Sequence, residues 1–249
     1  MVANTTRILL LTLLAAPIGL AQPDTSCSHD ALNLTVGEYG ASFGNSARHN
    51  GLRFNWSDNC LEEINGFNLT IWKPGNAMTG DVNGLAIGLI GPGAGTIKGV
   101  AIGLGGVVTK QGLAGVAIGG IGVVGAGDGI GVTVGGLGAV SDGEFVGISI
   151  GGLGLVGSGG LTGINIGGLG AVSRGDVTGI SLSIITTQVQ CMEGVVTGIY
   201  NRVYGRQAGL SVGVFNHATE LRGVQIGLIN YVEDNPPGLR ILPVVNAHF

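Results

Sequence analysis

Residues 147–162 read GISIGGLGLVGSGGLT, and residues 163–178 answer with GINIGGLGAVSRGDVT. The same phrase opens at Gly99, Gly115 and Gly131 and begins again at Gly179, so six glycines stand 16 residues apart without an insertion. A period of this length signals one supersecondary unit per repeat, because a single unit cannot bury its own apolar face and needs its neighbours to do so.

Inside a unit the residues after the opening glycine alternate apolar, small, apolar, as in Val132-Thr133-Val134 and Ile164-Asn165-Ile166. Period two with β-branched residues is the signature of a strand. Helix is disfavoured as well, since each interior Gly costs about 1 kcal/mol relative to Ala. The junctions carry turn residues, among them Ser141-Asp142-Gly143-Glu144 and Ser173-Arg174-Gly175-Asp176. Gly supplies the positive φ that tight hairpins require, so each unit is expected to be one strand plus one turn.

Charge follows the same beat. Between Gly84 and Gln190 the ionisable residues Lys98, Lys110, Asp128, Asp142, Glu144, Arg174 and Asp176 all fall at or beside a junction. The charge-free bodies, such as Gly147 to Val156, run about 10 residues, the length a tilted strand needs to cross a bilayer. Crossing strands must close so that every backbone group is paired. The expected fold is therefore all-β: an antiparallel outer-membrane-type β-barrel of about 14 strands built from Gly-rich units.

A parallel β-solenoid is the alternative. Its equivalent coils would set Gly147 beside Gly163 and align Ile148, Ile164 and Ile180 in one internal ladder. The phase of apolar positions also shifts across Gly151-Gly152, as it would at a corner between two sheets. The barrel is preferred because a coil surface in water should carry charge on its outward positions.

Composition excludes several classes. Charged residues are 10% of the chain and 51 of its 249 residues are Gly, against about 25% charged in ordinary domains. With 45% hydrophobic residues there is enough apolar surface to fold, which separates the chain from low-complexity disorder. A net charge of −4 without a Lys/Arg run argues against nucleic acid as a partner.

Residues 1–21 combine one cation, Arg7, with an apolar run from Ile8 to Ala16 and the small residues Gly19 and Ala21. That is the pattern of a secretory signal cleaved after Ala21. Residues 22–249 are then read as one domain, with a more polar lead-in at 22–80, regular repeats at 84–190 and degenerate repeats with a closing strand at 191–249. Cys27, Cys60 and Cys191 show no metal spacing. An exported chain would permit a Cys27–Cys60 disulfide, and three unpaired small hydrophobes is the competing state.

At the end of the chain Ile241, Pro243, Val245, Ala247 and Phe249 alternate on one face and finish on an aromatic. This resembles the terminal strand by which bacterial outer-membrane barrels are recognised for insertion, and the resemblance implies outer-membrane lipid and the barrel-insertion machinery as partners. The phrase Gly223-Val224-Gln225-Ile226-Gly227-Leu228-Ile229-Asn230 and the ending Leu242-Pro243-Val244-Val245-Asn246-Ala247-His248-Phe249 resemble a bacterial family of glycine-rich surface-repeat proteins. That resemblance implies a surface or outer-membrane location and supplies no activity. The central units depart from it by replacing the Asn of G-L-I-N.

Candidate chemistry is sparse. Gly91-Pro92-Gly93-Ala94-Gly95 before Lys98 lacks the ending of a phosphate-binding loop and the helix that would follow it. His29, His49, His217 and His248 have no ligand spacing, and His248 reads as lumen-facing or interfacial. Asp58, Glu62 and Glu63 read as a solvated loop face, since no nucleophile or base is spaced to meet them. Asn33, Asn55 and Asn68 match glycan acceptor sites and are read as accidental. No catalytic, cofactor or metal site is expected. The expected function is that of a non-enzymatic exported surface protein, with a narrow channel or a secreted solenoid adhesin or binding scaffold as alternatives.

Overall fold

The structure is a computed structural model that describes Cys27 and residues 29–36, 39–75 and 78–249. The expected signal segment, residues 1–21, lies outside the described residues. All strands join one continuous sheet that winds as a parallel β-solenoid of about 11 turns.

The central coil shows why. Glu144–Gly151 pairs in parallel with Gly160–Gly167 on one side and with Asp128–Gly135 on the other. After a corner at Gly152-Leu153, the short strand Gly154–Gly157 pairs with Gly138–Ser141 and Gly170–Ser173. Each strand of the central coils thus bonds the equivalent strand one coil away and not its neighbour in sequence. The barrel and the hairpins expected from the sequence are corrected on this point. A 16-residue coil returns to its starting place and buries its inner face against copies of itself, so no closed ring of crossing strands forms. Each central coil holds two strands, of 8 and 4 residues, where one strand of about 10 was expected. The phase shift at Gly151-Gly152 is the corner between them.

The glycine beat is a backbone ladder. Thirteen glycines from Gly40 through Gly147 to Gly223 pair rung to rung. Twelve of them, from Gly51 on, hold φ between 105° and 138°, a region that L side chains rarely adopt. At each, a β-carbon would collide with the carbonyl oxygen of the rung before it. Toward the ends the interval varies, from 11 residues between Gly40 and Gly51 to 18 between Gly66 and Gly84. Bulges at Leu61/Glu63 and Val203/Arg206 absorb part of the difference and keep the ladder in register.

Phe145, Leu161 and Val177 form one buried column, and Ala139, Leu155 and Ala171 another. Volumes interlock: a β-carbon on Gly129 would meet the Phe145 ring, which fills that space. Ser173 closes its corner by donating to the Gly157 carbonyl at 2.8 Å and accepting from the Gly175 amide at 3.1 Å. Asp142 and Arg174 lie at these corners and Asp128, Glu144 and Asp176 begin the strands that follow, whereas Lys98, expected at a junction, lies inside the strand Gly93–Gly103.

Both ends are closed by antiparallel strands. Ala31–Val36 pairs with Tyr39–Gly44 at the start, and Ile241–His248 with the strand Phe215–Val232 at the finish. Antiparallel caps break the pattern that a further coil would extend. The terminal strand is therefore a cap and not a barrel-closing strand. Val244 has φ of 69° and is exposed, against the alternation; Ile241, Val245 and Ala247 lie on the exposed face, Asn246 is the one buried residue of this strand, and Phe249 is 95% exposed. His248 is exposed at this cap, where there is no lumen to face. A channel through a barrel has no counterpart, because the space inside the coils is filled by side chains.

Candidate functional site

The strand that follows each ladder glycine is inside out. In the sequence-based solenoid, Ile148, Ile164 and Ile180 form an internal ladder. They do stack in register, but they point outward with 40–42% of their surface exposed. Ser149, Asn165 and Ser181 point inward, at 2% exposure or less.

This holds along the whole molecule. The positions one and three residues after each ladder glycine form two outward columns, from Ala41 and Phe43 through Ile148 and Ile150 to Val224 and Ile226. Of these 26 positions 25 are apolar, the exception is Thr197, and none is buried. The position between them is buried in all thirteen rungs, and in nine it is polar. The corner residues Ile121, Leu137, Leu153 and Leu169 continue the exposed apolar surface around one edge.

Absence of charge therefore has two causes. Inward positions exclude unpaired charge because they are dry. The outward columns face solvent, where nothing in the fold forbids Lys or Glu. A charge-free aliphatic face over thirteen rungs far exceeds the few hundred Å² of contiguous apolar patch usual on monomers, and it is the principal candidate site.

The interior ends are polar for a different reason. Asp58, read from the sequence as part of a solvated face, is fully buried with Arg53. Arg53 Nη1 donates to Asp58 Oδ1 and to Asn68 Oδ1, both at 2.7 Å, and Nη2 donates to Asn45 at 2.9 Å. Asn55, Asn68 and Thr70 also donate to the Asp58 carboxylate, at 2.8, 3.0 and 2.7 Å. So does the amide of Gly93, at 3.2 Å. The glycine-rich 91–95 loop thus holds an anion of its own chain. Coil closure brings these residues together from positions 35 apart, whereas Glu62 and Glu63 stay exposed. At the opposite end an amide ladder fills the core, Asn201 donating to Asn216 at 2.9 Å and Asn216 to Asn230 at 2.8 Å. Central coils put Ala139, Leu155 and Ala171 at that register.

A polar hollow of about 540 Å³ near the first coils is lined by Asn33, Arg48, His49, Asn50, Glu63 and Asn65. Its groups bond one another: Asn65 donates to Asn50 at 2.9 Å and to Glu63 at 3.2 Å, Arg48 pairs with Glu62 at 2.6 Å, and His49 Nε2 bonds the Gly40 carbonyl oxygen at 3.0 Å. Among the described residues no cluster of three His, Cys, Asp or Glu side chains is placed to hold a metal ion. Asn55 and Asn68, two of the glycan-motif asparagines, are buried, and Asn33 is exposed. A disulfide joins Cys27 to Cys60, and Cys191 is a free thiol.

No family model matches the chain, and no curated protein or solved structure is detectably similar to it.

Proposed function

We propose that the chain is an exported, non-enzymatic β-solenoid that works as a binding scaffold through its aliphatic face. The single observation that carries this is the absence of charge from both outward columns, where the fold imposes no such absence. Export is supported by the signal-like pattern of residues 1–21 and by a disulfide, which suits an oxidising compartment. A place at the cell surface follows from the resemblance of Gly223–Asn230 and Leu242–Phe249 to the glycine-rich surface-repeat family. The barrel-insertion machinery is not proposed as a partner, since that expectation rested on a barrel.

The test places a photo-reactive residue at Ile164, on the face, or at Arg174, on a charged corner, in cells expressing the full chain. The expected result is a chain outside the cytoplasm that cross-links from position 164 and not from 174. A cytoplasmic chain, or equal behaviour of the two positions, would overturn the proposal.

A further inference from the structure

We infer that the occupant of this face is a second copy of the chain, related by a two-fold axis that runs the solenoids antiparallel; the inference rests on the scaffold reading of the same surface. Area is the first argument. Twelve rung-to-rung steps at ~4.8 Å and four strand residues at ~3.3 Å make a face ~58 Å by ~13 Å. That is about 750 Å², close to the ~800 Å² per partner of a standard stable interface.

Shape is the second. Two sheets pack face to face at ~10 Å with nearly aligned strands, and an identical rung spacing in both copies lets the side chains of one seat between the rungs of the other. The columns are bulkiest at one end, with Phe43, Phe54 and Phe67, and slimmer toward the other, with Val195, Thr197 and Val212. An antiparallel two-fold brings thick end to thin end and leaves strand direction unchanged, so Phe67 of one copy faces Val195 of the other, each one residue after its ladder glycine. The interface is isologous and closes at two copies.

Charge is the third, and it disfavours a lipid surface. Interfacial binding draws on Lys and Arg flanking the apolar face. Here the flanking Lys98 and Arg222 are paired with Asp81 and Glu220, at 3.2 and 2.9 Å, so these pairs add no net positive charge to the rim.

The experiment is sedimentation of the mature chain, residues 22–249, across a concentration series, with and without vesicles of mixed zwitterionic and anionic lipid. Twice the chain mass is expected, with no vesicle binding. The pair Ile148→Lys and Ile164→Lys should weaken the dimer by on the order of 100-fold or more, as loss of central contacts with burial of unpaired charge does. Ile148→Thr with Ile164→Thr, which keeps β-branched residues in the strand, should weaken it less while leaving the circular dichroism unchanged. F67C in one copy should oxidise onto V195C in the other. A monomer at all concentrations, a dimer indifferent to both pairs, or a monomer that binds vesicles would overturn the inference. A monomeric chain that still cross-links from position 164 to another species overturns the dimer and leaves the scaffold standing.

Discussion

Gly147 lies over Gly131 so closely that the Gly131 carbonyl oxygen occupies the place a β-carbon on Gly147 would need. Gly147 also holds φ of 120°. Gly147→Ala is therefore both strained and blocked by backbone, and it should cost more than about 2 kcal/mol. At Gly154 a β-carbon would stand 3.7 Å from the nearest atom, the Gly170 oxygen, with no positive φ. Gly154→Ala should be neutral or stabilise by about 0.4–1 kcal/mol, by lowering the entropy of the unfolded chain. Denaturant titration of the two variants separates ladder glycines from merely small ones; equal losses would contradict the ladder.

Leu161 and Ile164 are three residues apart on one strand and point opposite ways, fully buried and 42% exposed respectively. Leu161→Ala should cost about 2–5 kcal/mol. Ile164→Ala should cost less than about 1.5 kcal/mol, since little cavity forms on an open face. Measured in dilute protein, a larger loss at Ile164 than at Leu161 would reverse the orientation of the strand.

Breaking the buried Arg53–Asp58 pair should cost about 3–5 kcal/mol, because one uncompensated charge stays in the core. The double change Arg53→Met with Asp58→Leu should not restore stability. Asn55, Asn68, Thr70 and Gly93 would still aim donors at the missing carboxylate. Thermal unfolding of the singles and the double tests this, and full recovery in the double would show the pair to be dispensable.

Asn165 is fully buried, and neither its amide nitrogen nor its amide oxygen has a hydrogen-bond partner. The same column holds Ala101 and Ala117 a few rungs away. Asn165→Ala should raise stability by about 1 kcal/mol, relieving the desolvation cost of an unsatisfied amide. A higher unfolding midpoint is the expected readout; a lower one would mean that the amide is bonded in solution.

Phe249 and its strand should separate cleanly. Phe249→Ala should shift stability by no more than ~0.5 kcal/mol, as exposed positions do. Removing residues 241–249 uncovers the edge of Phe215–Val232, and an uncovered edge recruits other chains. Light scattering should rise for the truncated chain alone. A requirement for Phe249 itself would instead revive a recognition role for the terminal residue.

The 16-residue strand-bearing unit was legible in the repeat, and the corner at Gly151-Gly152 was legible as a mark of the solenoid alternative. That the units coil instead of closing into a barrel was not, because charge-free bodies of about 10 residues suit a bilayer as well as a dry core. Nor was the direction of the strands. In EFVGISIG both parities carry apolar residues, Phe145 on one and Val146, Ile148 and Ile150 on the other. Hydrophobicity favours the isoleucine parity as the core. Space decides otherwise: Gly147 and Gly151 share the parity of Phe145 and Ser149, and a β-carbon at either glycine would strike backbone. The Arg53–Asp58 cluster was hidden for another reason. Its Asn-rich surroundings have the composition of a solvated loop, and only coil closure carries Asn68 and Gly93 to the carboxylate.

The two ends of the core are chemically distinct, one ionic at Asp58 and the other an amide ladder through Asn216, while the 16-residue coils between them meet one another through nearly identical surfaces. Coils can consequently be gained or lost only in the middle. One added unit would lengthen the molecule by ~4.8 Å and widen its contact surface by one more pair of aliphatic side chains, leaving both caps untouched. The molecule is in effect a ruler graduated in whole coils, its length open to resetting by unequal exchange between near-identical repeats.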